Sequence, residues 1–112
     1  MAWTPRQHPR FRANLAIELR RQGTGTPVRG QTADISLGGC YVEIMLTQQI
    51  STELGITLWV GDKKICGSGQ VVSRHPNFGN GIKFTFLDDE GKRLLRAYLE
   101  ALSPFRGVAA AR

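Results

Sequence analysis

Asp34, Ser36 and Gly39 have a spacing that can present a small polar edge to a ligand. Asp34 and Ser36 lie two residues apart, so in an extended chain their side chains project to the same side, opposite the apolar residues that follow each of them. Gly38-Gly39 then permits a positive φ or a close approach of the backbone to another group. The same residues can also form a tight turn, in which the carboxylate and the hydroxyl only bond nearby amides. Taken alone, the segment is either a turn or half of a binding site.

A group of arginines near the N-terminus can supply the complementary charge. Arg6, Arg10 and Arg12 fall within the first dozen residues, which contain no acid. The guanidinium group suits two-pronged recognition of phosphates and of guanine edges, whereas an ammonium acts as a point charge. The chain as a whole has a formal net charge of +6, which favours an anionic partner. A solvated basic arm with no ligand is the alternative for these arginines.

The elements that must position these residues are about six short strands and one helix. Period-two alternation of apolar residues predicts the strands, and apolar residues at steps of three and four predict the helix. Residues 47–53 read as a polar loop that has room for one helical turn. We expect Trp59, Phe84 and Phe86 in the core. The predicted strands are 11–20, 28–35, 40–46, 54–60, 65–74 and 81–87, and the predicted helix is 90–102.

Short strands separated by glycine turns, without strand–helix–strand alternation, predict an all-β fold. We expect a six-stranded antiparallel β-barrel with one end covered by the C-terminal α-helix. Residues 1–10 form an irregular arginine-containing arm, residues 11–102 the barrel with its helix, and residues 103–112 a tail that we expect to be disordered.

Composition excludes several classes of protein. The 112 residues suffice for one domain, and no apolar run approaches the length of a membrane span. The N-terminus has no apolar segment of a secretory signal, so we expect a cytoplasmic location and no membrane insertion. Cys40 and Cys66 lack metal-ligand spacing, and we expect two buried, reduced thiols, although a disulfide between them stays open. No catalytic motif, metal site or cofactor site is recognisable, so we expect no enzymatic activity.

Two motifs together resemble the PilZ domain family. Arg6-Gln7-His8-Pro9-Arg10 matches its R-x-x-x-R motif, and Asp34-x-Ser36-x-x-Gly39 matches its [D/N]-x-S-x-x-G motif. Two weaker features agree with the family pattern, namely the late strand sequence Gly81-Ile82-Lys83-Phe84 and the C-terminal helix. The resemblance covers nearly the whole chain and implies a barrel of the split-barrel type that binds the bacterial second messenger cyclic diguanylate (c-di-GMP).

The resemblance also implies a role for each motif residue. Arg6 and Arg10 would contact phosphate and guanine, Asp34 would accept from guanine N–H groups, Ser36 would bond a phosphate, a base edge or the loop backbone, and Gly39 would let the chain pass close to the ligand. Arg12 and Trp3 are possible additional contacts, and His8 reads as a spacer. Many family members carry a further arginine immediately before the first motif arginine; Pro5 stands there, which favours one ligand molecule per domain over an intercalated dimer.

Three functions compete at this point. The first is a c-di-GMP receptor whose arm orders on binding and alters contact with a protein partner. The second is an adaptor of the same fold that acts by protein contact with weak or no nucleotide binding. The third, a general nucleic-acid-binding barrel, is disfavoured because the predicted strands lack exposed aromatic and basic residues in alternation.

Overall fold

A computed structural model of the chain describes residues 8–22 and 25–102. Its elements are β1 (Phe11–Arg12), β2 (Ala16–Arg21), β3 (Val28–Ile35), β4 (Gly39–Glu43), β5 (Glu53–Val60), β6 (Lys63–His75), β7 (Gly79–Leu87) and α1 (Asp89–Leu102). Six of these strands close into a barrel in the order β3-β2-β5-β6-β7-β4, and β4 returns to pair with β3. All of the pairings are antiparallel, and a seventh strand, β1, pairs with the end of β3. The predicted barrel with a C-terminal helix is confirmed.

The first predicted strand is wrong in one respect, because it is broken at residues 13–15. The buried side chain of Thr32 in β3 occupies the break. Its hydroxyl donates to the carbonyl of Ala13 at 2.5 Å and accepts from the amide of Leu15 at 2.9 Å. A side chain thus replaces part of the β-ladder, and the alternation of buried and exposed residues continues from β1 into β2.

A β-bulge in β7 corrects the prediction that Phe86 belongs to the core. Phe84 pairs with Gly69 and Phe86 with Ser68, so Thr85 is an extra residue on β7. An extra residue reverses the facing of every side chain beyond it. Phe84 is therefore half-buried against the core, whereas Phe86 is 60% exposed.

Trp59 also lies outside the core, which corrects the third aromatic prediction. Its ring is half-buried on the outer face of β5. The guanidinium carbon of Arg29 lies 5.6 Å from the ring centroid, and Glu18 accepts a hydrogen bond from the same guanidinium group at 3.2 Å. Trp59 thus contributes to a surface cluster of aromatic, basic and acidic side chains.

Helix α1 covers one end of the barrel. Asp88 caps it, since its carboxylate accepts from the amide of Gly91 at 2.7 Å. Leu95 and Leu99 are buried against the barrel, and Gly91 lets the helix approach β6, because a Cβ there would lie 2.9 Å from a methyl group of Ile65. Among the residues that the structure describes, no helix has the length and apolar character needed to span a membrane.

The opposite end of the barrel carries the loop of residues 44–52. Its described residues form turns and bends, so the helical turn considered for residues 47–53 is absent. The fully buried amide of Asn80 holds this loop by accepting from the amide of Gln48 at 2.7 Å and donating to the carbonyl of Gln48 at 2.9 Å.

The two cysteines have different environments, which corrects the prediction of two buried thiols. Both are free, but only Cys40 is buried, whereas Cys66 in β6 is exposed. Burial raises the pKa of Cys40 from its ordinary value of 9.0 to about 12; the negative charge of Asp34 adds to this shift and the positive charge of Arg10 opposes it.

Candidate functional site

The Ser36–Gly39 segment is a tight turn organised by the Ser36 hydroxyl. The side chain is 4% exposed and accepts from the amides of Gly38 and Gly39 at 3.1 and 3.2 Å. The amide of Ser36 donates to the carbonyl of Gly39 at 2.8 Å, which closes the turn. The Ser36 hydroxyl thus bonds the loop backbone, which is one of its three predicted partners, and its contact with a phosphate or a base edge stays a prediction.

Gly39 is required by the barrel itself. A Cβ at this position would lie 2.1 Å from the carbonyl oxygen of Ile82 and 3.1 Å from the Cα of Lys83, both in the backbone of β7. The glycine therefore permits β4 to approach β7, and neither Gly38 nor Gly39 has a positive φ. At Gly38 a Cβ would instead meet the ring of His8, at 2.9 Å.

An ion pair joins the two motifs across 24 residues of sequence. Nη1 of Arg10 lies 3.3 Å from Oδ1 of Asp34, and the two side chains are 32% and 31% exposed. Arg12 is the residue opposite Asp34 in the β1–β3 pairing, so its side chain leaves the same face of the sheet. Arg6 and Trp3 lie outside the described residues, and their predicted contacts stay predictions.

Tyr41 borders Asp34 on its other side, in the β3–β4 pairing. Partial burial raises the pKa of Tyr41, and the negative charges of Glu43 and Asp34 raise it further. Its hydroxyl lies 3.0 Å from Nδ1 of His75. The phenol therefore stays protonated near neutral pH and forms a neutral, hydrogen-bonded edge beside the carboxylate.

A depression of about 280 Å³ lies over this turn and brings most of the predicted site together. Val72 and Lys83, which sequence reasoning missed, belong to its wall. Lys83 is the residue opposite Gly39 in the β4–β7 pairing, and Val72 is an extra residue on β6 that the register shift turns outward, where it is 50% exposed. His8, predicted to be a spacer, also lines it. The lining residues are His8, Arg10, Ser36, Gly38, Gly39, Val72, Ile82 and Lys83.

The chemistry of this depression is that of binding. Two cations, Arg10 and Lys83, can hold an anionic group, the carboxylate of Asp34 at its edge can accept from N–H donors, and Val72 offers an apolar surface to a ring. The described residues contain no cluster of three His, Cys, Asp or Glu side chains that could hold a metal ion. The arrangement suits a ligand that combines negative charge with a ring that carries N–H hydrogen-bond donors.

Solved structures with the same fold are known from several bacteria. The PilZ domain of YcgR from Escherichia coli, solved with c-di-GMP, is 15% identical, with a TM-score of 0.71 over 97% of this chain and 99% of that one. MrkH from K. pneumonia, solved as a complex with c-di-GMP, is 18% identical, with a TM-score of 0.74 over 98% of this chain and 57% of that one. The inhibitor of motility MotI from Bacillus subtilis is 17% identical, with a TM-score of 0.71 over 88% of this chain and 52% of that one. This chain thus spans only about half the length of MotI and of MrkH.

Two comparisons address the sequence itself. Curated proteins gave no match to this sequence. The family model described as the PilZ domain matches residues 4–101, which include both motifs, all seven strands and nearly all of the helix. The chain therefore belongs to the PilZ domain family.

Proposed function

We propose that this domain is a receptor for c-di-GMP. The observation that carries the proposal is the ion pair between Arg10 and Asp34, which joins the two motifs at the edge of a depression that also contains Lys83. c-di-GMP offers phosphates to the cations and guanine N–H groups to the carboxylate. The PilZ domain of YcgR and MrkH, both solved with this nucleotide, support the choice of ligand.

The cost of exchanging the ion pair for ligand contacts is small. Both side chains are about a third exposed, and an exposed ion pair contributes roughly 0–1 kcal/mol. A guanidinium bonded to phosphate and a carboxylate that accepts two guanine N–H groups each contribute more, about 1.5–3 kcal/mol per charged hydrogen bond. The nucleotide therefore gains more than the Arg10–Asp34 pair loses.

The remaining motif residues have distinct proposed roles. Arg6 would supply the second guanidinium of the R-x-x-x-R motif, and Arg12 and Trp3 are candidates for further contacts. Ser36 and Gly39 shape the turn and hold it against β7, and both line the depression where the ligand would lie. The ligand is released intact, since binding uses no activated nucleophile. We expect the domain to act in the bacterial cytoplasm, by ordering its arm and changing its contact with a protein partner.

Calorimetric titration with c-di-GMP tests the proposal. We expect micromolar or tighter binding by the unaltered protein. Arg10→Ala and Asp34→Ala should each weaken it at least about tenfold, which corresponds to the loss of one charged hydrogen bond. Arg93→Ala is the matched control, because this exposed arginine of α1 pairs with Glu90 and lies outside the depression.

Two results would contradict the proposal. The first is the absence of measurable heat with the folded, unaltered protein, which would favour the adaptor that acts by protein contact alone. The second is an equal effect of Arg93→Ala and Arg10→Ala, which would reduce the interaction to non-specific attraction between a basic protein and an anion.

A further inference from the structure

A groove runs between helix α1 and the barrel, next to the nucleotide depression. It consists of two adjoining hollows of about 350 and 300 Å³, both lined by His8, Leu37 and Arg96. We call it the helix groove. Its apolar side chains are Phe11, Leu37, Phe84, Phe86, Leu87 and Leu99.

The β-bulge in β7 exposes Phe86 in this groove. The bulge at Thr85 turns its ring to solvent, where it is 60% exposed, while the strand on either side stays paired with β6. A single exposed apolar side chain is ordinary on a protein surface. Here the ring lies beside other apolar side chains in a concave surface, which is the usual character of a docking site.

Two cations border the apolar surface. Lys92 and Arg96 lie one helical turn apart on α1, and both line the larger hollow. Neither side chain has a hydrogen-bond or ion-pair partner within residues 8–22 and 25–102, whereas Arg93 between them pairs with Glu90. The acid that faces this groove among the described lining residues is Glu100, in the smaller hollow. The border of the larger hollow is therefore positive and available to an anion.

His8 is common to the helix groove and to the nucleotide depression. Its ring lies over Gly38, and it lines the depression that contains Arg10 and Lys83 as well as both hollows of the groove. A ligand that contacts Arg10, two residues further along the chain, must either hold this ring in place or move it. An occupant of the depression would therefore contact a residue that also shapes the groove.

From these contacts we infer that the helix groove docks an acidic amphipathic segment of a partner protein. Apolar side chains of that segment lie on Phe86 and its neighbours, and its carboxylates pair with Lys92 and Arg96. Charge complementarity selects this occupant, because a neutral apolar segment would leave both cations desolvated and unpaired. The regulation of this docking through His8 rests on the proposed function, whereas the docking itself does not.

Fluorescence anisotropy with the full chain tests the docking. The probe is a labelled, synthetic amphipathic helix with a Leu and Phe stripe flanked by Glu, and the control probe carries Lys in place of every Glu. We expect the acidic probe to bind and the basic probe not to bind. Phe86→Ala should weaken the acidic probe about tenfold through lost apolar contact, and Arg96→Glu about fivefold or more through lost charge pairing.

Arg93→Glu is the matched control for Arg96→Glu, because it makes the same change in charge on the same helix outside the groove. We expect it to change the affinity less than twofold. Equal binding of the two probes, equal effects of the two charge reversals, or no binding of the acidic probe would each overturn the docking. Amide shifts at Thr85 and Phe86 that depend on protein concentration without probe would assign the groove to a second copy of the chain and also overturn it.

The coupling is tested by repeating the titration with saturating c-di-GMP. We expect the affinity for the acidic probe to change at least threefold in the unaltered protein, and the change to disappear in His8→Ala at a nucleotide concentration that saturates that variant. An unchanged affinity in the nucleotide-bound protein would refute the coupling. If c-di-GMP does not bind at all, the proposed function fails while the result with the nucleotide-free protein still decides the docking.

Discussion

Replacing Gly38 or Gly39 by alanine separates the structural part of the second motif from its binding part. A methyl group at Gly39 would lie 2.1 Å from the carbonyl oxygen of Ile82, a backbone atom of a paired strand that cannot rotate away. A methyl group at Gly38 would meet His8, at 2.9 Å from a ring carbon, and this side chain can turn aside. The two variants add the same atom at adjacent positions. A difference between their stabilities therefore reports whether the group that the methyl meets, the backbone of Ile82 or the side chain of His8, can move away.

The expected cost of Gly39→Ala follows from the displacement of β4 from β7. Forcing a methyl group into a packed site costs about 1–3 kcal/mol. Loss of one bond between the strands, such as that from the amide of Phe84 to the carbonyl of Gly38 at 2.8 Å, adds about 0.5–1.5 kcal/mol. We therefore expect a loss of roughly 1.5–4.5 kcal/mol in the free energy of unfolding, and a fall in Tm of roughly 6–18 °C.

For Gly38→Ala we expect a change of less than about 1 kcal/mol, because the lower chain entropy of the unfolded alanine variant offsets the movement of His8. The same methyl group projects into the depression that we assign to c-di-GMP, so the affinity for the nucleotide should fall although the fold is intact.

Urea unfolding followed by circular dichroism measures both stabilities, and calorimetry on the folded variants measures the affinity. A Gly39→Ala variant within about 0.5 kcal/mol of the unaltered protein would refute the crowding against β7. Equal destabilisation by the two variants would refute the distinction between backbone and side-chain neighbours.

Three further predictions concern the two cysteines and Thr32. An aromatic disulfide reagent at pH 8 should modify Cys66 rapidly and Cys40 only on unfolding, and equal rates for the two thiols in the folded protein would contradict the burial of Cys40. Because the pKa of Cys40 rises from 9.0 to about 12 on folding, the unfolded chain loses this proton first as the pH rises. The stabilisation is complete below pH 9 and declines above it, by about 1 kcal/mol between pH 8 and pH 10; urea titrations at both values should show a larger decline in the unaltered protein than in Cys40→Ala. Thr32→Val should lower the free energy of unfolding by about 2–4 kcal/mol, since the amide of Leu15 and the carbonyl of Ala13 lose their partner inside the barrel, whereas a cost below about 0.5 kcal/mol would show that water replaces the hydroxyl.

The pattern of the sequence was sufficient for the fold class and for the pairing of the motifs. The strand alternation and the helical period are local properties, and the barrel confirms both. Arg10 and Asp34, chosen from their types and spacing, lie 3.3 Å apart. The roles assigned to Arg6 and Trp3 stay predictions, because these residues lie outside the described part of the chain.

Other features depend on contacts between distant strands. Phe86 faces solvent because of a bulge whose position is set by the register of β7 against β6. Val72 faces the depression that we assign to c-di-GMP because of a second register shift between the same two strands. No local pattern in the sequence marks either residue. An extra residue in one strand reverses the side to which the following side chains point, and its position is set by the pairing with the other strand.

The sequence by itself determined that an acidic, hydroxyl-bearing segment and a group of arginines occur in the order and spacing that resemble the two PilZ motifs, because residue type and spacing decide which groups are available. Only the tertiary structure decided where these groups lie and what they contact. Ser36 bonds its own turn and Gly39 accommodates β7, and both residues line the depression that they help to shape. Arg10 and Lys83 line the same depression and Asp34 pairs with Arg10, because closure of the barrel brings β3, β4 and β7 together.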